Sequence, residues 1–536
     1  MNLSAARLAI YLISAWLLIS ALTLFPGVLR ITGHEVDFLH ALDTAYRIGE
    51  GDLPHLDYMT PLGLFAFLPI TLFLQAGFGP GVSYLLAQVA VTAVLLPAIW
   101  WVGASRLQGW TRLMWGLGMV ALGLSMIFGA DNPAITVSMY YNRWAWIPAG
   151  VVVLLLLLPP RDGWNSALVD GGLLGLAGAV LDMTKMTYVM ALAPFVLLVL
   201  LGGRQWARLA VALAAFAVAL GAVTLALGGV EYWVAYAQDL LAVAVDSRRK
   251  YPGAAYADLI SAPKFLPMTV LLLVSVIFLR TNGRKAEGLA LLVLGPGLIY
   301  ITYQNWGNDP KWLFLLAIIL FSLPVAERAF WGIRGPDFAR ILACAALLIY
   351  APSMLNILTS PLRHAGVDTA DYTPMFTDLA KADIEVGAKQ NFVPVMEIPM
   401  KGIDMPEGHE PEEETEPVRV NGEELSACTL STGFIGWTRK AVAQLGAVEE
   451  AVGQTVIMAD VYDHLWLFGP FARSPGMAPW YYGTEDGFAE ARYLLVPLCP
   501  VSPDAARGKL EVVEELGWQL EEVIRTDLFI LLRRAG

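Results

Sequence analysis

The sequence predicts a polytopic α-helical membrane domain over residues 1–360 and a soluble C-terminal α/β domain over 361–536, and three observations carry that prediction. The chain is 57% hydrophobic and only 15% charged, with a mean hydropathy of +0.58. A soluble globular chain is closer to about half apolar and about a quarter charged. The apolar excess is also uneven. Ahead of residue 360 apolar runs follow one another, each near the roughly 20 residues that cross a bilayer core. Beyond it charge returns to ordinary levels, so two domains in two solvents are expected.

Apolar runs lie at 8–29, 62–78, 82–104, 113–130, 144–159, 166–182, 186–202, 206–228, 265–279, 287–303, 312–325 and 338–357. The first follows Arg7, has no small-residue cleavage site after it and precedes further spans, so a first transmembrane helix is expected there rather than a signal peptide. Run 62–78 is short, opens with Pro61-Leu62-Gly63 and is broken by Pro69. It is expected to lie in the interface as part of a first outer loop, 30–81. Setting it aside leaves eleven spans. Arg106, Arg112, Arg161, Arg204, Arg208, Arg280, Arg284, Lys285, Arg328 and Arg334 then share the side of the N-terminus, which the positive-inside bias makes cytoplasmic. The soluble domain falls on the opposite side.

The outer segments hold polar residues that a membrane scaffold does not need. The first reads Gly33-His34-Glu35-Val36-Asp37, then an amphipathic stretch, then His55-Leu56-Asp57-Tyr58-Met59-Thr60-Pro61-Leu62-Gly63. A hydrated loop accounts for one acid there, but less well for two acids beside an amphipathic helix. The second holds Asp131-Asn132-Pro133 and Tyr140-Tyr141-Asn142-Arg143-Trp144-Ala145-Trp146. Interfacial anchoring explains the aromatic residues. It does not explain Asn142 and Arg143, because a cation beside lipid needs a counter-charge such as a phosphate.

Lys185 stands alone between two spans, where snorkelling and a lipid phosphate are both open. Arg248-Arg249-Lys250 opposes the inside bias and suits anionic headgroups. Gln304, Asn305 and Asn308 surround Trp306, and amides with aromatic faces suit a sugar.

The net charge of −12 draws on an acidic run, Glu407 to Glu416, expected to be a solvated loop. Such a chain is not expected to bind nucleic acid. In the soluble domain Gln454–Ala459, Tyr493–Leu498 and Leu528–Leu532 read as strands, and Ser502–Gly517 as a helix. No nucleophile elbow, phosphate loop or metal-spaced cluster occurs there, and Tyr462-Asp463-His464 reads as structural. Cys344 is expected to pack inside a span. Cys428 and Cys499, the two cysteines of the outer domain, are expected to form a disulfide.

This pattern resembles the GT-C superfamily of polyprenyl-phosphate-sugar-dependent glycosyltransferases, with the nearer resemblance to its bacterial protein-mannosyltransferase and aminoarabinose-transferase-like branch. The matching features are the acid after the first span, the stretch Gly51 to Gly63 with its Asp57-Tyr58 and Pro61-Leu62-Gly63, a polar second outer loop, the outer Lys185 and the C-terminal outer domain. The resemblance implies a GT-C membrane fold in a bacterial inner membrane with the soluble domain in the periplasm. It implies inverting transfer of a sugar from a polyprenyl-phosphate donor to a glycolipid, polysaccharide or protein hydroxyl.

Asp37 takes the family's place as general base, with Glu35 the competing carboxylate. Lys185, Arg143, Arg248, Arg249 and Lys250 are the cations available to the donor phosphate. Asp57, Tyr58, Asp131, Tyr141, Asn142, Gln304, Asn305 and Asn308 are expected around sugar or acceptor. Some members of the superfamily bind Mg²⁺ or Mn²⁺, which Glu35, Asp37 and Asp131 with His34 would suit. The nearer branch works without metal and Asp131 has no second acid beside it, so no cofactor is expected.

Two other classes remain to be weighed. A flippase or transporter of lipid-linked saccharides would carry polar residues at the bilayer midplane and internal symmetry. A non-catalytic glycan-assembly subunit would tolerate loss of Asp37.

Overall fold

The computed structural model describes residues 4–127, 133–245, 265–304, 309–388, 395–397 and 417–535. Its first part is helical: α1 (Ala5–Leu24), then a short strand β1 (Leu29–Ile31), α2 (Glu35–Glu50), α3 (Leu68–Gln75), α4 (Pro80–Arg106), α5 (Trp110–Leu124), α6 (Tyr140–Leu157), α7 (Ala167–Thr184), α8 (Met186–Gly202), α9 (Trp206–Ala226), α10 (Glu231–Val245), α11 (Leu266–Thr281), α12 (Lys285–Gln304), α13 (Trp312–Ser322) and α14 (Gly335–Ala365). Each apolar run retained as a span is a helix. The run set aside is a 3₁₀ turn, Leu64–Ala66, and the eight-residue α3. Among the described residues six helices (α1, α4, α7, α9, α12 and α14) are long and apolar enough to cross a membrane. The chain is a multi-pass membrane protein.

Helix environment follows sequence. Helix α13 is apolar all round, α6 is apolar beyond its first turn, and both sit buried at the bundle centre. Helix α9 lies at the rim, with Leu213, Val218 and Leu225 outward. It is held by α7, where Gly171 and Gly175 let the backbones touch. A Cβ at Gly175 would lie 2.2 Å from the Ala212 carbonyl oxygen. At the bundle end near the N-terminus Arg106 is buried against Asp170 at 2.6 Å, and Arg208 adds a second contact at 3.1 Å. Cys344 does not pack inside the bundle: it lies on the outward face of α14 and is exposed.

After α14 come β2 (Tyr372–Pro374), β3 (Ile384–Gly387), β4 (Val395–Glu397), β5 (Arg419–Val420), β6 (Glu423–Glu424), β7 (Thr429–Thr432), α15 (Phe434–Leu445), β8 (Val456–Met458), α16 (Leu465–Phe468), β9 (Tyr493–Pro497), α17 (Pro503–Glu515), β10 (Leu520–Arg525) and β11 (Phe529–Arg534). The main sheet has the order β10-β11-β9-β8, with β8 and β9 parallel. Side chains alternate across it. Val456, Met458, Leu495 and Phe529 face α15, while Ile457, Leu494, Val496 and Ile530 face α17. A disulfide joins Cys428 to Cys499, with a Cα–Cα distance of 5.0 Å.

The C-terminal part packs directly on the bundle. Strand β1, between α1 and α2, pairs in parallel with β3, and Arg30 meets Glu385 at 2.8 Å. Asp383 receives the Val82 N–H at 2.8 Å and so caps the first turn of α4. Gly79 and Gly81 are required for that approach, because a Cβ at Gly81 would lie 2.2 Å from the Asp383 carbonyl oxygen. One apolar cluster runs from Phe38 and Leu42 of α2 to Trp437, Met458 and Phe529 of the soluble part.

Candidate active site

Helix α2 is the element that carries the predicted acids. It begins after His34, whose φ of 56° turns the chain, and ends at Gly51, whose φ of 107° suits only a residue without a side chain. Glu35 and Asp37 lie in its first turn, where the helix dipole favours negative charge. The rest of α2 docks the soluble part. The buried Asp43–Arg47 ion pair takes the Trp466 indole N–H on Asp43 Oδ2 at 2.6 Å. Arg473 reaches Asp52 at 2.8 Å and Glu50 at 2.9 Å.

Asp37 opens onto a cavity of about 260 Å³ that Lys185 also lines. That is just below the range of roughly 300–1,000 Å³ usual for small-molecule sites. Lys185 is the single extended residue between α7 and α8, with φ −160°. Its ammonium sits 5.3 Å from the centroid of the Tyr141 ring, which lines the same cavity. The Pro61-Leu62-Gly63 turn lies directly on this helix break. The Gly63 N–H bonds the Thr184 carbonyl at 3.2 Å, and a Cβ at Gly63 would lie 2.2 Å from the Met183 carbonyl oxygen. Glycine at 63 therefore allows the segment after α2 to seat against the lysine.

The segment 51–63 is clamped from its other side by α10. His55 Nδ1 lies 2.7 Å from Asp239 Oδ2 and its ring stacks on Tyr236 at 4.3 Å. Asp239 also accepts the Thr60 N–H at 3.1 Å.

Burial pushes the Asp37 carboxyl up to about 6, against the opposing pull of the Ser138 hydroxyl. Asp37 is solvent-reachable through the cavity and yet surrounded by protein, so the dielectric around it is low. Glu35 is also raised by burial, but it is buried outside the cavity lining. Burial lowers His40, one turn beyond Asp37, to about 4 and keeps it neutral.

The other predicted residues are elsewhere. Arg143 is spent on the segment before α6: its Nη1 donates to the Ile127 carbonyl and, at 2.8 Å, to that of Ser138, and its Nη2 faces the Tyr84 hydroxyl at 3.3 Å. Its partners are neutral backbone carbonyls, which a sequence does not display. Asn142 is buried beside it, away from the cavity lining. Asp57 accepts the Leu53 N–H at 2.7 Å and fixes a turn. Tyr58 lies under the Arg47 guanidinium at 5.3 Å.

Asp131, Arg248, Arg249, Lys250, Asn305, Asn308 and the acidic run lie outside the described residues, and Gln304 is the last residue of α12. Among the described residues no three His, Cys, Asp or Glu side chains converge as a metal-holding group.

Sequence reasoning missed His40, Tyr300, Trp480 and Tyr482, all of which line the cavity. His40 was accessible in principle, since i and i+3 share a helix face with Asp37. The run Pro479-Trp480-Tyr481-Tyr482 is the densest aromatic stretch of the soluble part, and its density was the available signal.

A helical bundle that crosses the bilayer several times, with a carboxylate and an ammonium lining one cavity under an α/β domain, defines a membrane protein with a polar site at its surface. Two solved structures are similar to it along nearly their whole length. ArnT from Cupriavidus metallidurans in the apo state is 11% identical, with 98% of this chain and 97% of that chain covered and a TM-score of 0.39. ArnT from the same organism bound to undecaprenyl phosphate is 10% identical, with 98% of each chain covered and a TM-score of 0.42. No protein-family model matches the chain, and no curated protein matches its sequence.

Proposed function

We propose that this chain is an inverting glycosyltransferase that moves a sugar from a polyprenyl-phosphate donor to an acceptor hydroxyl. The observation that carries the proposal is the presence of Asp37 and Lys185 on one cavity. The Asp37 carboxylate takes the proton of the acceptor hydroxyl as its oxygen bonds the anomeric carbon. The bond from that carbon to the phosphate oxygen breaks, and polyprenyl phosphate leaves with the electron pair. Lys185 faces the charge that develops on the phosphate. A base held near pH 6 suits this step, because it is ionised at neutral pH and still basic enough to accept a proton.

No step requires a divalent ion, so transfer is expected to proceed unchanged in EDTA. The site faces the periplasm of a bacterial inner membrane, with the N-terminus in the cytoplasm and a glycolipid, polysaccharide or protein as acceptor. The soluble domain, from about residue 361, covers the site on the periplasmic side.

The test uses membranes containing the full chain and labelled polyprenyl-phosphate sugars. Asp37→Asn is expected to lower transfer by about 10²–10⁴-fold. Lys185→Ala is expected to weaken transfer by at least about tenfold. Normal transfer by a well-expressed Asp37→Asn variant would remove the proposal, and lipid translocation that survives the same substitution would favour a flippase.

A further inference from the structure

The cavity has a wall that the membrane part does not supply. Trp480 and Tyr482, from the loop between α16 and β9, line it opposite residues of the bundle. The Trp480 ring stacks on His40, centroids 4.8 Å apart and planes tilted by 32°, and Phe67 meets the same imidazole edge-on at 5.7 Å. Tyr482 packs with Ala478 against Met59 and Val243, so both rings lie across the junction between soluble part and bundle.

The loop that presents these rings is held firmly. Tyr481 N–H bonds the Val461 carbonyl at 2.8 Å, and Asp463 N–H bonds the Pro479 carbonyl at 3.2 Å. Behind that strip, Asp463 takes the buried Lys509 ammonium and the Met458 N–H. Asp460 accepts the N–H groups of Val461, Val501 and Ser502 at 2.7, 2.6 and 2.9 Å. At Gly487 a Cβ would lie 2.4 Å from the Met477 nitrogen, so the loop base tolerates no side chain there. Two satisfied carboxylates and a close backbone contact make a rigid mount, which is what selective recognition demands.

We infer that Trp480 and Tyr482 are specificity-determining residues of the sugar subsite, so that the soluble domain reads the sugar that the membrane domain transfers. Aromatic rings recognise a pyranose through its apolar C–H face, and two rings mounted on a fixed loop discriminate between sugars by where that face lies. The inference rests on the transferase proposal and adds the source of its selectivity.

The experiment is a competition. The full chain in lipid nanodiscs is given one labelled undecaprenyl-phosphate hexose together with one labelled undecaprenyl-phosphate pentose, and KM, kcat and the product ratio are read for each variant. Trp480→Ala is expected to raise donor KM by about tenfold with kcat changed far less, and to shift the hexose-to-pentose ratio by at least about threefold. Trp480→Phe, which keeps a ring, is expected to restore most of both. A merely structural residue would lower kcat for both donors alike and leave the ratio fixed, and that result overturns the inference.

Should Trp480→Ala fail to fold, Trp480→Phe and Tyr482→Leu carry the test, and wild-type ratios in both overturn it. A wild type that transfers neither sugar removes the transferase proposal and this inference with it. A wild type that transfers them, with ratios blind to the loop, removes the inference alone.

Discussion

At the scale of single residues, Asp37 is set at a cost to the fold. Its carboxyl is raised to about 6 by burial, above the ordinary 3.8. The fold therefore favours the protonated form, and the stability this contributes is full below about pH 4 and lost as pH rises through about 6. Two consequences are expected. Transfer should fall about tenfold for each pH unit below 6, measured as kcat/KM against pH. Asp37→Asn, which carries no charge, should be more stable than wild type at pH 7.5 by on the order of 2 kcal/mol and no more stable at pH 4, read from thermal unfolding.

Asp37 and Lys185 stand out in the sequence because each is a charge stranded at the end of an apolar run, but that they line one cavity is seen only in the fold. Arg143 carries the same signal for a different reason, since its guanidinium serves backbone carbonyls. Sequence shows that a cation needs a partner, not which partner it finds.

At the scale of elements, α2 does two jobs along its length. Its first turns bring Asp37 and His40 to the cavity, and its later turns dock the C-terminal part through Asp43, Tyr46 and Arg47. The Asp43–Arg47 pair is almost fully buried, each side chain 1% exposed, so removing one partner leaves a buried charge. Asp43→Ala is expected to destabilise by about 3–5 kcal/mol. It should lower the thermal midpoint and expose the junction near residue 366 to limited proteolysis. Unchanged cleavage there would show that α2 is not the dock.

The long apolar helices and the shortness of α3 were legible because apolar length and proline placement are local properties. The dock was not, because Asp43 and Arg47 at i, i+4 look like an ordinary solvated helix pair. Only the Trp466 indole, over four hundred residues away, reveals that they are buried.

At the scale of the whole molecule, the strands β8, β9 and β11 and helix α17 were readable from their alternation and periodicity. Strand β1 was not, since Leu29–Ile31 continues the apolar run of α1. The disulfide Cys428–Cys499 closes a loop of 71 residues, and its loss through Cys428→Ser is expected to cost about 2–4 kcal/mol. Thermal unfolding with and without reductant measures it, and equal midpoints would show that the bond is not made.

The pairing of β1 with β3 also sets a timetable. Leu29 leaves the ribosome roughly 350 residues before its partner Ile384. At about 5–20 residues per second that is an interval of roughly 20–70 s. Throughout it the first outer loop has no strand to join, Asp43 has no Trp466, and the cavity lacks the Trp480 wall. A nascent chain thus builds its bundle while one wall of the cavity is still missing, and a chain that stops short of β3 is expected to leave that cavity open on one side.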